Sequence, residues 1–301
     1  MKNSKTIKTL VILIILFSAI AAATGIFYTE GQGSFEYESI RGESVMIYGK
    51  GLYEHMSADV AIQGIAQDYV TLFIAIPILI LSLIMSIKGS LRARIVLTGT
   101  LGYFLVTYLF YMTMGMYNYM YLVYLVLLGL TFFAFTILMM DLVRVNLKEQ
   151  VDKSLPRKFI SGFLIFNTIA IALLWLNVVL PPLIDGSIYP DSLDHYTTLI
   201  VQGFDLGLLL PICFVAAVLF LKQKPMGYLI VPVYLGFLSL LMTALTAKLI
   251  AMAMHNVNVI PAIFIIPVFA LISILCLYLY LRRVNEKERL LPYNRPGDQS
   301  H

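Results

Sequence analysis

The stretch 63–88, QGIAQDYVTLFIAIPILILSLIMSIK, decides how this chain is read. It opens on Gln63-Gly64, carries the acid Asp68, crosses an apolar run broken by Pro77, and ends at Lys88, eleven residues past that proline. A degenerate second copy occupies 202–222, QGFDLGLLLPICFVAAVLFLK, with Gln202-Gly203, Asp205, Pro211 and the same eleven-residue step to Lys222. The acid precedes the proline by nine residues in the first copy and by six in the second, a difference close to one helical turn. Both carboxylates are therefore expected near the same helix face at adjacent depths. Each copy also has the length of about 20 residues that a helix needs to cross some 30 Å of hydrocarbon.

Working outward, the composition agrees. Of 301 residues, 60% are hydrophobic and 13% charged, and the mean hydropathy of +0.87 lies outside the range of soluble domains. Eight apolar windows of spanning length run over 10–28, 69–87, 95–113, 119–140, 159–180, 200–221, 227–250 and 258–281. The expected fold is all-α, a polytopic helical membrane protein with eight transmembrane helices as two parallel four-helix repeats and both termini cytoplasmic. Residues 1–140 form the first four-span half with an exterior loop at 29–67. Residues 141–158 form a cytoplasmic linker, 159–281 the second half, and 282–301 a cytoplasmic tail. An even number of spans per half gives the copies one orientation, related by an axis along the membrane normal. With Lys2, Lys5 and Lys8 holding the N-terminus inside, strict alternation places 18 of the 21 Lys and Arg on the inner side and 11 of the 17 acids on the outer side.

The first span has a second reading as a secretory signal, because lysines, an apolar run and Ala21-Ala22-Ala23 imitate a cleavage site. Cleavage leaves seven spans; retention leaves eight and is the expectation. Within the exterior loop, alternation on either side of Arg41-Gly42 predicts a short hairpin. From Ser57 the text turns helical, with Ser57 as N-cap and Asp59 in the first turn, and runs on into the second span. The tail after Arg282-Arg283 reads as unstructured.

Ionisable groups inside a bilayer cost about 2.5–3.5 kcal/mol at its centre, so each needs an explanation. Asp68, Asp205 and Lys248 are those groups, and with Gln63 and Gln202 they form the expected ligand-binding set. An Asp205–Lys248 ion pair lining an outward-facing cavity is the functional expectation; a capping aspartate and a snorkelling lysine are the structural one. Pro77 and Pro211 are expected to kink their helices. Tyr108, Tyr111, Tyr117, Tyr119, Tyr121 and Tyr124 read as an interfacial aromatic belt. Met112, Met114, Met116, Met120, Met252 and Met254, with His55, His195 and His255, have ligand types that suit Cu(I), but no metal-binding spacing accompanies them, and no metal is assigned. Cys213 and Cys276 lie in apolar runs and read as core. No nucleotide loop, catalytic triad or nucleic-acid motif is present, so no cofactor and no nucleic-acid partner is expected.

The residues around Gly49-Lys50-Gly51-Leu52-Tyr53, 63–77, Lys88-Gly89-Ser90-Leu91-Arg92 and Tyr117-Asn118, followed by 204–211, resemble those of uncharacterised bacterial multi-span integral membrane proteins over most of 49–230. The resemblance implies a multi-pass protein of the bacterial inner membrane and brings no activity with it. Three classes remain open. The leading one is binding or transport of a small solute or ion in an intramembrane cavity, with the lipid bilayer and that ligand as partners. The second is a membrane enzyme acting on a lipid or lipid-linked substrate, with His55, His195 or His255 beside an acid. The third is a scaffold or accessory subunit, whose protein partners the sequence does not name.

Overall fold

A computed structural model describes residues 4–286. Within them eight helices are long and apolar enough to cross a membrane: α1 (Ser4–Phe27), α2 (Ala58–Ile87), α3 (Leu91–Thr113), α4 (Tyr121–Val143), α5 (Arg157–Asp185), α6 (Ile200–Leu221), α7 (Pro225–Met254) and α8 (Ala262–Leu281). The chain is an all-α, multi-span membrane protein. The second helix starts well before its apolar window because the segment from Ala58 continues into the span without a break, as expected.

Helix α7 is the hub. Its most apolar window is 72% buried, against 22% for that of α5, and it packs on α2, α3, α6 and α8. Where α3 and α7 cross, Gly99 lies against Gly236. A Cβ on Gly99 would meet the Val233 carbonyl oxygen at 2.8 Å and the Gly236 Cα at 2.9 Å. Small residues at a crossing let two membrane helices approach closely enough for dense van der Waals contact. Around this crossing, α1 packs on α2 and α4, α2 on α3, and α3 on α4; α5 packs on α6, α6 on α7, and α8 on α7 with a lighter contact to α5.

Helices α2 and α6 each widen just before a proline. In α2 a π turn covers Thr71–Ala75 ahead of Pro77, and in α6 one covers Asp205–Leu209 ahead of Pro211. The Ile76 N–H donates to Thr71 O and the Leu210 N–H to Asp205 O, a five-residue step where an α-helix takes four. Proline has no N–H to give, and the extra residue in the turn accommodates its ring. The expected kinks are thus π turns. Counted from the prolines, Thr71 is the counterpart of Asp205, and Asp68 of Gln202.

At one end of the bundle, β1 (Phe35–Glu38) and β2 (Ser44–Ile47) form the antiparallel hairpin, with Gly42 at φ +80 in its turn. Ser57 stands at the N-terminus of α2 but makes no capping hydrogen bond; its own N–H donates instead to the Tyr196 hydroxyl at 3.2 Å. Arg41 reaches from the hairpin turn to the α5–α6 connection, where Nη2 donates to the carbonyls of Asp194 (2.8 Å) and Tyr196 (2.6 Å). At the other end, Arg94 pairs with Asp141 at 3.4 Å between α3 and α4. The first tail residues are pinned there too: Glu286 accepts from Leu91 N–H and Ser90 Oγ, and Arg92 donates to Val284 O. Residues 287–301, the rest of the tail expected to be unstructured, lie outside the described residues.

Candidate functional site

A cavity of about 360 Å³ runs between α2, α3, α5, α6 and α7. On α7 its wall extends from Met252 to Tyr234, eighteen residues or about 27 Å of helix rise, so it penetrates from the hairpin end deep into the bundle. Most of the wall is apolar, with Val106, Phe110, Leu174, Phe237, Leu241 and Leu245 among its side chains. Sites of this kind characteristically combine apolar walls with a few placed polar groups. Here those groups include Gln63, Gln67, Asn167, Trp175, Asp205 and Lys248, beside several tyrosines.

Three of the five expected residues line the cavity: Gln63, Asp205 and Lys248. Lys248 sits on α7, which continues six residues beyond it to Met254, so its ammonium lies within the bundle rather than at a helix end. It forms no ion pair; among the described residues these are His55–Glu54, Arg92–Glu286 and Arg94–Asp141. The expected Asp205–Lys248 contact is therefore not made. Asp205 is taken by Trp175 of α5, whose Nε1 donates to Oδ2 at 2.7 Å. Gln63 spends its amide on the Asp59 carbonyl at 3.2 Å. Gln202 is half-buried and does not line the cavity.

Asp68 is also absent from the wall, because tyrosines stand between it and the space. It is 2% exposed. The Tyr53 hydroxyl donates to Oδ2 at 2.5 Å and the Tyr111 hydroxyl to Oδ1 at 2.9 Å. Burial, and then the nearby carboxylate, push the Tyr53 phenol well above its usual range, so it keeps the proton it donates. Gly25 of α1 closes the other side: a methyl group there would overlap the Asp68 carboxylate. The expected aromatic belt accordingly divides. Tyr117 and Tyr119 are 76% and 78% exposed, whereas Tyr108 and Tyr124 are buried. Tyr108, Tyr111 and Tyr124 pack ring against ring beside Asp68, since the i, i+3 spacing of the first two puts both on the inward face of α3.

Three polar groups of the site were not singled out by the sequence. Gln67 donates to Tyr103 at 2.6 Å and Thr107 at 3.2 Å, a satisfied network between α2 and α3. Trp175 is the only tryptophan in the chain. Asn167 of α5 is 1% exposed, and neither its amide nitrogen nor its oxygen has a hydrogen-bond partner. Such an orphan is rare in a folded protein. A polar residue among LIFNTIA was visible as a sequence signal, but only the fold shows that it stands in the cavity wall. The histidines lie elsewhere: His195 Nε2 contacts His55 O at 3.0 Å and His255 Nδ1 contacts Ala251 O at 2.8 Å. Among the described residues no group of three His, Cys, Asp or Glu could hold a metal ion.

No protein-family model, curated protein or solved structure matches the chain.

Proposed function

We propose that this is a binding or transport protein whose intramembrane cavity takes a charged small solute, held by Lys248 and Asp205 on opposite charges and by Asn167 through its amide. The carrying observation is the convergence of a buried amide without partners, an ammonium without a counterion contact and a carboxylate with one committed oxygen in a single cavity. A buried polar group that stays unsatisfied costs about 1–3 kcal/mol, and a fold that tolerates such groups around one space has them available for a ligand. The enzyme reading lacks this support, since the histidines that it required do not line the cavity.

The topology proposed with it is two parallel four-span repeats in a bacterial inner membrane, with both termini cytoplasmic and the hairpin outside. What supports the repeat is the shared π turn six residues before the proline of α2 and α6, together with the same neighbour order in each set of four helices. The placement of Lys and Arg supports the orientation, and the resemblance to bacterial multi-span proteins supports the location.

The test uses Lys248→Cys and Lys248→Met in proteoliposomes. A charged, membrane-impermeant thiol reagent applied from the hairpin side should modify Lys248→Cys, and Lys248→Met should leave thermal stability unchanged or higher. An unreactive cysteine together with a destabilised Lys248→Met would show a sealed structural lysine and sink the reading.

A further inference from the structure

A second space adjoins the cavity. It is a groove of about 650 Å³ floored by α3 and α7 and flanked by α4 and α6. Its wall is apolar, including Leu109, Leu128, Phe132 and Ile212, and Tyr234 supplies its one polar side chain. Phe132 and Ile212 are among its exposed members, so the groove meets the surface that faces lipid. Groove and cavity share Val106, Leu209, Tyr234 and Phe237. Within that shared wall the Tyr234 hydroxyl donates to Leu209 O at 3.1 Å, at the last residue of the α6 π turn.

Building on the solute-binding reading, we propose that the ligand is an amphiphile, a membrane phospholipid with an amine in its headgroup, whose acyl chain lies in the groove and whose head enters the cavity past Tyr234 and Leu209. Two observations converge on this class. Charge complementarity sets the head: an anion alone would face Asp205, and a cation alone would face Lys248, whereas a phosphate joined to an ammonium meets both and leaves polar oxygens for the Asn167 amide. The walls set the rest. A compact zwitterion leaves the cavity faces of Val106 and Phe237 uncovered, while a chain continuing from the head into the groove, whose wall includes both, covers them.

The experiment uses the full chain in detergent and reads the emission of Trp175, which sits on Asp205 and has no other tryptophan to mask it. The probes are dihexanoylphosphatidylethanolamine, its head-only counterpart glycerophosphoethanolamine, and dihexanoylphosphatidylglycerol. The variants are Lys248→Met for the head and Gly129→Phe for the groove, because a Cβ at Gly129 meets nothing within 4 Å and its side chain would fill groove space. The ethanolamine lipid should shift the emission saturably, with the head-only probe and the glycerol lipid each about tenfold weaker or worse. Each variant should weaken the ethanolamine lipid by a similar factor. If the head-only probe binds as tightly as the lipid and Gly129→Phe changes nothing, the chain does not occupy the groove, yet the cavity reading stands. If the glycerol lipid binds equally well, recognition of a zwitterion is wrong. If no probe perturbs Trp175 and Lys248→Met is without effect, this proposal and the cavity reading fall together. Should Gly129→Phe not fold, Gly129→Ala and the comparison of probes on the unaltered chain still decide the outcome.

Discussion

Helices α2 and α6 share one backbone device and put it to opposite uses. Both carry a π turn six residues ahead of a proline. In α2 the polar residues at that level are closed upon the protein: Thr71 contacts Tyr103 at 3.1 Å, Gln67 serves Tyr103 and Thr107, and Asp68 is held by Tyr53 and Tyr111. In α6 the counterpart of Thr71 is Asp205, which opens on the cavity with only Trp175 upon it. One helix thus closes its polar groups on the protein and the other carries the cavity-facing acid. A carboxylate at membrane depth is no guide to function until its partners are counted.

The largest expected effect tests that division directly. Asp68→Ala takes the carboxylate from the Tyr53 and Tyr111 hydroxyls and leaves them only longer contacts, to each other at 3.3 Å and to the Gly64 carbonyl at 3.4 Å, at roughly 1–3 kcal/mol in all. Asp205→Ala removes the acceptor of one half-buried indole, and the stability loss should be smaller, about 1 kcal/mol. Thermal or chemical denaturation in matched nanodiscs compares them. Equal losses would erase the distinction between scaffold and site.

A second pair of variants acts on the π turns themselves. A π turn holds one residue more than the α-helix around it, so deleting Leu208 from α6 or Ile74 from α2 returns the helix to a four-residue step and turns everything upstream by about 100°. In α6 the deletion should swing Asp205 off the cavity and abolish ligand binding while the protein still purifies as a folded species. In α2 it should pull Asp68 from its tyrosines and cost stability. A deletion in α6 that unfolds the protein would show that both turns are structural.

The eight helices and the hairpin about Arg41-Gly42 were legible because they rest on local properties: apolar length and alternation. The site was legible only in part. Lys248 and Asp205 announced themselves by their cost in an apolar helix, but their lack of contact depends on how far α7 stands from α6, which no spacing encodes. Asp68 looked equivalent to Asp205 until Tyr53, Tyr111 and Gly25 closed on it from one connection and two helices far apart in sequence. Asn167 carried no pattern at all, since an amide in an apolar run is meaningful only when the fold leaves it alone. Replacing it by leucine should therefore raise stability by about 1–3 kcal/mol, because an orphaned amide gives way to an apolar side chain of similar volume, while ligand binding weakens. A loss of stability would mean that Asn167 has a partner after all.

The smallest expected effect concerns the connections above the two helices. Hairpin β1–β2 holds itself by its own ladder and sits at the top of α2, the helix whose polar groups are already satisfied. The α5–α6 connection above α6 has no such ladder and takes its restraint from Arg41, from the Tyr196 contact with Ser57 and from the His195 contact with the His55 carbonyl. Arg41→Ala should accordingly loosen the side above α6 alone. Each hydrogen bond lost from the half-buried guanidinium is worth about 1 kcal/mol, which corresponds to roughly a fivefold rise in local opening. Amide hydrogen exchange should then speed by that order across 186–199 and stay unchanged across 35–47. If the hairpin amides accelerate equally, the two connections open as one unit, and the asymmetry between α2 and α6 stops at the helix ends instead of extending into the connections beyond them.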